Sequence, residues 1–441
     1  MIPIKPDIFS AYCALIVFIL AFVVLYFRNK RGLFLTAVSG LHLTFLLFFG
    51  LGSFFYAIFG ITSDRIARNV ITAKIDLLYP YLIFGYLILV GIEFYNRKKL
   101  GVLQRMTFLY LKEHVNLNAF NIFILLLSFI GYLFSSSDIS NSGAGTLFPV
   151  FSNLLLPISI LIVFNVNKND SLSIWLLIIL ILLVGVQAFV SSWRSQLILF
   201  FGCVVIGWSL RGKMNYYIIS ILSIAFIVFI IPFQQLKKNN FNNYNYETNI
   251  AFEESLDFTV DQRLEMSGSF FAERINYTRE MAYVQNALDR NLLSYRYGET
   301  YIEIFFQLIP RFLWSSKPVY NRFTGYEVPR KIGILGKSDE TSSWGVNSFA
   351  EFIYNFSYEY LPIFILALYS LLFYLDKLVY RIRLRPEYTW LLQITLFFLS
   401  LNLVSVIFSS TYFLWSFIVI ILLNAITGLT NENHFIRRSA Y

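Results

Sequence analysis

Two cations beside prolines mark the stretch LIPRFLWSSKP, residues 308–318. Proline fixes its own φ and biases the preceding residue towards extended backbone, so the stretch predicts a shaped turn and not a helix. Arg311 offers a planar pair of donors that fits a phosphate, and Lys317 adds a point charge. Trp314 lies between them and can stack on a sugar. The pattern indicates phosphate and sugar binding; contact with lipid headgroups is the alternative.

Further cations lie where the chain is expected to meet a membrane surface. Arg194, in SSWRSQ at 191–196, separates two apolar runs, and an ionisable residue at membrane depth is costly and often functional. The alternative is a cation that snorkels to the interface beside Trp193. Four more arginines offer either phosphate donors or ordinary ion pairs with neighbouring carboxylates: Arg274, Arg279, Arg290 and Arg296, near Glu273, Glu280, Asp289 and Glu299.

One carboxylate has apolar neighbours. Glu351 lies in NSFAEFIYNFS, 347–357, and shares this segment with Phe349, Phe352 and Phe356. Partial shielding by these rings disfavours the charged carboxylate, and this suits a general base. A structural ion pair between Glu351 and an arginine is the alternative.

Several familiar chemistries are excluded by what the chain lacks. It has no GxSxG, HExxH, Walker A or GxGxxG motif, and no DxD pair for a metal diphosphate. Its three histidines, His42, His114 and His434, fall outside the long segment 234–357. Its two cysteines lie in apolar runs, so neither a zinc site nor a disulfide framework is expected. We expect no metal and no cofactor.

The elements that must position these residues are membrane-spanning helices. The 441 residues are 57% hydrophobic and only 14% charged, with a mean hydropathy of +0.63. Apolar runs of about 17–25 residues predict transmembrane helices, and the first is expected to be a retained span and not a cleaved signal peptide. The sequence predicts an all-α polytopic membrane protein with about eleven spans. These are 9–27, 34–60, 77–95, 119–135, 147–165, 172–191, 195–210, 216–233, 360–376, 389–409 and 412–429.

Cation placement orients these spans. The net charge of +9 is concentrated in short loops between spans, such as RNKR at 28–31 and RIRLR at 381–385. Such placement is typical of membrane topology and argues against a nucleic-acid partner. The positive-inside rule puts the N-terminus outside and the C-terminus in the cytoplasm. The spans themselves are predicted to be nearly free of charge.

The predicted topology divides the chain into three parts. Residues 1–233 hold spans one to eight, residues 234–357 form one large, partly helical external loop, and residues 358–441 hold the last three spans and a cytoplasmic tail. Within the loop, apolar spacing predicts an amphipathic helix over 272–290. A second helix over 299–309 is apolar enough to lie at the membrane surface.

These motifs resemble a known family. An arginine after the sixth span, a long external loop, IPRFLWSSKP at 309–318 and SWGVNSFAEFIYNFSYEYLP at 343–362 are similar to bacterial oligosaccharide repeat-unit polymerases of the Wzy type. This family polymerises O-antigen and related capsular or exopolysaccharides. The resemblance covers most of the chain as topology, and as motif it covers residues 190–196 and 295–362.

The resemblance implies an enzyme with a GT-C-like fold in the bacterial inner membrane. At the outer face it would transfer a growing glycan from a polyprenyl diphosphate to the next lipid-linked repeat unit, without metal or nucleotide sugar. Its partners would be the lipid-linked donor and acceptor, membrane lipids and a separate chain-length regulator. The implied catalytic residues are Arg194 and Glu351. The implied substrate-binding residues are Arg274, Tyr277, Arg290, Arg311, Trp314, Lys317 and Asn355.

Other functions stay open. O-antigen ligases share this architecture and place a functional histidine in the large loop, so the lack of one here favours a polymerase. A lipid-linked oligosaccharide flippase usually has related halves and polar groups at mid-membrane, and the sequence shows no internal repeat. A sensor or scaffold that binds a partner through the loop is the third possibility.

Overall fold

The protein is mostly helical in the residues that its computed structural model describes. Helices account for 87% of these residues, and no strand occurs among them. The described residues are 7–30, 33, 35–59, 68–95, 257–274, 276–302, 328–331, 346–382, 384, 386–401 and 417–422, with the single positions 126, 160, 175, 178, 179, 314 and 424. The descriptions below concern this part of the chain.

The helices have the following bounds. In the first part of the chain they are α1 (Ile8–Lys30), α2 (Ala37–Thr44), a π-helix (Phe45–Leu51), α3 (Gly52–Phe59) and α4 (Arg68–Tyr95). In the predicted loop they are α5 (Val260–Arg274), α6 (Tyr277–Asp289), α7 (Val328–Lys331) and α8 (Ser348–Asn355). A 3₁₀ turn (Tyr358–Tyr360) then leads into α9 (Leu361–Arg381), which precedes α10 (Pro386–Leu401).

Four stretches are long and apolar enough to cross a membrane. They are Ile8–Lys30, Ala37–Ile58, Ala73–Tyr95 and Tyr358–Val379. Each coincides with a predicted span: 9–27, 34–60, 77–95 and 360–376. The predicted span 389–409 begins within α10, and 412–429 includes the described residues 417–422. The other five predicted spans, between 119 and 233, lie outside the described ranges, so the number eleven and the three-part division stay predictions.

The second span is one continuous helix with a wider turn in its middle. The π-helix Phe45–Leu51 joins α2 to α3. Gly50 belongs to this turn, and a Cβ atom placed on it would lie 2.9 Å from both Cα and Cβ of Phe18 in α1. Because the nearest atoms belong partly to backbone, only a residue without a side chain allows α1 and the π-helix to pack this closely.

A buried ion pair connects α1 to α4. Arg28 forms a salt bridge with Glu93, and both side chains are buried. Arg28 also donates to Ser39 Oγ and Thr36 Oγ1, each at 2.6 Å. The second oxygen of Glu93 accepts a hydrogen bond of 2.8 Å from Tyr369 of α9. One guanidinium and one carboxylate therefore connect α1, α2 with the residue before it, α4 and α9, and the five side chains hydrogen-bond with one another.

This cluster corrects two expectations from the sequence. Arg28 was predicted to be a loop cation, but it lies inside the bundle. The spans were predicted to be nearly free of charge, but Glu93 and Asp376 are buried near the ends of two of them. Asp376 accepts from the backbone N–H groups of Ala37 and Val38, at 2.8 and 3.1 Å, and so caps the start of α2. A hydropathy profile averages over many residues, so it does not reveal that a single charged side chain is buried beside a partner.

The Arg28–Glu93 pair generates a stability prediction. Arg28→Ala leaves a buried carboxylate unpaired, and we expect it to lower the free energy of unfolding by about 3–5 kcal/mol. Lys30→Ala, an exposed neighbour on the same helix, serves as the matched control. The double variant Arg28→Met/Glu93→Gln removes both charges and should recover most of the loss. Thermal unfolding in one detergent checks all three, and equal midpoints for Arg28→Ala and Lys30→Ala would contradict the prediction.

A second prediction concerns the π-helix. Gly50→Ala forces a methyl group against the backbone of Phe18, and we expect overpacking to destabilise the protein by about 1–3 kcal/mol. Gly91 in α4 is the control, because no atom lies within 4 Å of a Cβ built there. Gly91→Ala should be neutral or slightly stabilising, since alanine is the better helix former by about 1 kcal/mol. The measurement is again the thermal midpoint, and a Gly50→Ala variant as stable as Gly91→Ala would refute the close approach.

Candidate functional site

Helices of the predicted loop are packed against one end of the spans. α6 contacts α4, α8, α3 and the π-helix, and α5 contacts α3. Ser53 of α3 lies 3.0 Å from Asn276 Oδ1 and 2.8 Å from Thr278 Oγ1 at the start of α6. At the end of α6, Asp289 forms an ion pair with Lys74 of α4. The described helices α5 and α6 therefore lie at the end of the bundle where α3 ends and α4 begins.

α8 forms because Asn347 caps it. Asn347 Oδ1 accepts from the backbone N–H groups of Phe349 and Ala350, at 3.1 and 3.0 Å, and these donors have no partner within the helix. Asn347 Nδ2 donates to Glu280 Oε2 at 2.7 Å and to the carbonyl of Tyr277 at 3.2 Å. One carboxamide thus starts α8 and ties it to the first turn of α6. Every residue of α8 is buried.

Aromatic rings fill the contact between the loop helices and the π-helix. Tyr277 stacks on Phe48 with ring centroids 4.2 Å apart and meets Phe49 edge-on at 5.8 Å. Phe349 also packs edge-on against two rings of the π-helix, with its centroid 4.7 Å from that of Phe49 and 5.8 Å from that of Phe45. Burial, and then the nearby charge of Glu280, raise the pKa of the Tyr277 phenol above its ordinary value. Tyr277 thus contributes to packing, and a sugar can stack on it only after Phe48 moves.

Glu351 lies at the centre of a buried polar cluster. Its Oε1 accepts a hydrogen bond of 3.0 Å from Thr300 Oγ1. Asn355, one turn further along α8, donates through Nδ2 to Thr300 Oγ1 at 2.7 Å and to the Glu351 carbonyl at 2.8 Å. Asn355 Oδ1 accepts from the backbone N–H of Gly298 at 2.9 Å. We call Glu351, Asn355, Thr300 and Gly298 the Glu351 cluster; its three side chains are wholly buried.

The segment that covers this cluster has an unusual backbone. Arg296 N–H donates to the carbonyl of Tyr354 at 3.1 Å, and Tyr297 N–H donates to the carbonyl of Asn355 at 3.0 Å. Tyr297 has φ of 48° and Gly298 has φ of 89°, which places both in the left-handed region. Glycine adopts this conformation freely, but a tyrosine there is uncommon. The hydrogen bonds to the end of α8 hold the segment in this strained form.

The burial of Glu351 is greater than the sequence indicated. Partial shielding by Phe349, Phe352 and Phe356 was expected, but the carboxylate is completely enclosed. Phe352 stacks on Phe364 of α9, with ring centroids 4.5 Å apart, and only Phe356 is exposed. The pKa of nearby Tyr301 is raised, first by burial and then by the charge of Glu351. A closed pocket of this kind keeps a carboxylate away from water and next to hydroxyl groups.

The remaining predicted site residues are distributed as follows. Arg290 caps the end of α6 and is exposed, while its predicted partner Asp289 bonds instead with Lys74 and Gln285. The predicted ion pair of Arg296 with Glu299 is confirmed, at 3.2 Å. Trp314 is half-buried. Four predicted site positions, or their side chains, lie outside the described residues: Arg194, Arg274, Arg311 and Lys317.

The structure also identifies site residues that the sequence did not reveal. Asn347 could have been found as an N-cap, since an asparagine just before an apolar helical pattern is a common start signal. Thr300 and Gly298 carry no such signal, because Thr300 contacts Glu351 across 51 residues of chain and Gly298 contacts Asn355 across 57. No local pattern encodes such a separation. Among the described residues, no group of three or more His, Cys, Asp and Glu side chains lies close enough to hold a metal ion.

Comparison with protein-family models, with curated proteins and with solved structures finds no match for this chain.

The Glu351 cluster generates a prediction about local order. Asn355→Ala removes the acceptor of Gly298 N–H and a donor to Thr300, so the segment 297–302 should lose protection against amide hydrogen exchange. Asn286→Ala, a half-buried asparagine in α6, is the control. Exchange measured by mass spectrometry should rise in peptides covering 297–302 in Asn355→Ala alone. Unchanged protection would show that Asn355 does not hold this segment.

Proposed function

We propose that this protein is a glycosyltransferase that polymerises polyprenyl-diphosphate-linked oligosaccharide repeat units at the outer face of a bacterial inner membrane. The observation that carries the proposal is the Glu351 cluster. A carboxylate enclosed among hydroxyl and amide groups lies in a folded loop, and this loop packs on the ends of apolar helices. A substrate with a lipid tail in the bilayer and a glycan in water would reach that boundary.

The proposed reaction breaks one bond and forms one. The bond between the anomeric carbon of the growing glycan and its diphosphate oxygen breaks, and the electron pair stays on the diphosphate. A sugar hydroxyl of the acceptor repeat unit forms the new glycosidic bond, and its proton passes to Glu351 as general base. Arg194, Arg311 and Lys317 would stabilise the negative charge on the leaving diphosphate, so no metal or nucleotide sugar is required.

The burial of Glu351 adds a condition to this mechanism. A carboxylate with no exposed surface cannot meet a sugar hydroxyl while Thr300 and the 297–302 segment cover it. We therefore assign the described arrangement to a resting enzyme in which the segment is closed. Acceptor binding would displace the segment and place the hydroxyl where Thr300 Oγ1 now donates. Asn355 would then be free to hold the acceptor, and Trp314 would border the glycan. Tyr277 would do so only after Phe48 also moves.

A specific observation favours a second candidate, a lipid-linked oligosaccharide flippase. Arg28, Glu93 and Asp376 are buried among the candidate spans, and ionisable groups in such places often mark transport pathways. These groups hydrogen-bond with neighbouring side chains and with backbone N–H groups at the start of α2, which indicates that they hold the helices together. Polymerisation therefore has the stronger support, because the Glu351 cluster includes a reactive group close to a displaceable segment.

The test is polymerisation by purified protein in liposomes. With the polyprenyl-diphosphate repeat unit of its host and no added metal or nucleotide sugar, we expect a ladder of glycan lengths on a gel. Glu351→Gln should slow ladder formation by about 10²–10⁴-fold, the usual contribution of a general base. Arg194→Ala and Arg311→Ala should each slow it by about 10²–10³-fold through loss of charge stabilisation.

Matched variants separate chemistry from folding. Glu359→Gln, an exposed glutamate in the 3₁₀ turn, should leave the ladder unchanged. Glu351→Gln keeps the size of the side chain, so its thermal midpoint should stay close to that of the unaltered protein. A single-step product on a different acceptor would identify a ligase instead. Intact substrate and folded protein with no product, together with transfer of the lipid-linked glycan across the bilayer, would identify the flippase.

A further inference from the structure

One side of α9 exposes apolar side chains. Along this candidate span, Leu361, Ile365, Leu368 and Leu372 are buried, while Ile363, Leu371 and Tyr374 are exposed. Residues at this helical spacing share a face, and an exposed apolar face on a spanning helix meets acyl chains. Among the described residues the face of α9 that holds Ile363 is exposed, and it is the face expected to meet lipid.

Exposed apolar side chains continue from the start of α9 into the loop. Tyr360, just before α9, is 51% exposed, and Phe356, at the end of α8, is 38% exposed. Tyr301 packs near Phe356, with ring centroids 6.1 Å apart. In the same segment, Tyr297 is 79% exposed and Ile302 is 55% exposed. We call Tyr297, Ile302, Phe356 and Tyr360 the apolar lip.

The backbone of Tyr297 argues that the lip has a partner. A tyrosine in the left-handed region costs of order 1–3 kcal/mol, and here the strain presents the ring outward instead of into the core. Hydrogen bonds to the end of α8 offset this strain, and exposure of the ring to water would add no further stabilisation. Insertion into an apolar medium would stabilise the exposed ring by roughly 25 cal/mol for each Å² of apolar surface removed from water.

Charge identifies the kind of partner. Glu299 and Glu359 are exposed within the two segments of the lip, and Arg296 is paired with Glu299. With these carboxylates the lip has no excess of positive charge to attract anionic lipid. Their presence also prevents deep burial in hydrocarbon, because a charge there is costly. Tyrosines with an apolar body and a polar tip are enriched at the boundary between headgroups and acyl chains.

We propose that the apolar lip inserts into the headgroup–acyl boundary of the bilayer and holds the 297–302 segment at that depth. The proposal depends only on contacts and exposure and does not require the polymerase activity. It extends the predicted surface location of the helix at 299–309, of which the structure describes residues up to 302. Through the hydrogen bond from Gly298 N–H to Asn355, the lip also sets the depth of the Glu351 cluster.

The test measures depth with spin labels in liposomes of neutral lipid. Single cysteines Tyr297→Cys and Ile302→Cys are introduced into a Cys13→Ala/Cys203→Ala background and labelled with a nitroxide. Leu371→Cys on α9 provides the hydrocarbon reference, and Asp261→Cys on the charged face of α5 provides the aqueous one. Collision rates with oxygen and with a water-soluble nickel chelate report the depth of each label. Thermal midpoints confirm that every labelled variant folds.

Each outcome decides the proposal. Labels at 297 and 302 should show an oxygen-to-nickel ratio several-fold above the Asp261 label and below the Leu371 label, and the ratio should not change when anionic lipid is added. A ratio equal to that of the Asp261 label would overturn the proposal, because the lip would then lie in water. Low collision rates with both reagents would also overturn it, because protein and not lipid would then cover the lip.

Discussion

The contact of Tyr277 and Phe349 with Phe49 decides where the folded loop meets the spans. These rings come from three separate parts of the chain and are all buried. Large rings supply most of the apolar area that such a contact can bury. Because Tyr277 begins α6 and Phe349 lies in the first turn of α8, their positions determine where both helices start. Around them, Asn347 donates to Glu280 and so connects the start of α8 to the first turn of α6.

The π-helix provides the surface for this contact. A wider turn lets side chains project where a regular α-helix would not direct them, and such turns are frequent at functional sites. Here Gly50 brings one side of the turn against α1, while Phe45 and Phe49 face the loop helices. A regular helix over the same residues would rotate one of these contacts away from its partner. The direction of the turn depends on neighbours far along the chain, which no local sequence pattern encodes.

Hydropathy predicted the bounds of the four candidate spans within a few residues, because a membrane permits only helices whose length matches its thickness. The burial of charged side chains was predicted less well than the spans. Arg28 resembled a loop cation because a charge at the end of an apolar run usually lies in water, and the sequence contains no sign that Glu93 lies opposite. Likewise, Glu351 was recognisable as a carboxylate among phenylalanines, but its enclosure by Thr300 depends on the left-handed turn at Tyr297. In both cases the sequence failed to predict the burial because the partner residue lies far away along the chain.

One set of hydrogen bonds connects the enclosed carboxylate with the exposed lip. Asn355 accepts from Gly298 and Tyr297 N–H groups through its side chain and its carbonyl, and it donates to Thr300, which donates to Glu351. Movement of Tyr297 therefore cannot occur without changing the surroundings of Glu351. The strain at Tyr297 opposes the described arrangement and these bonds favour it, so the net free energy that holds the segment in place is smaller than the bonds alone would give. This small net free energy is what the proposed displacement of the segment by an acceptor requires.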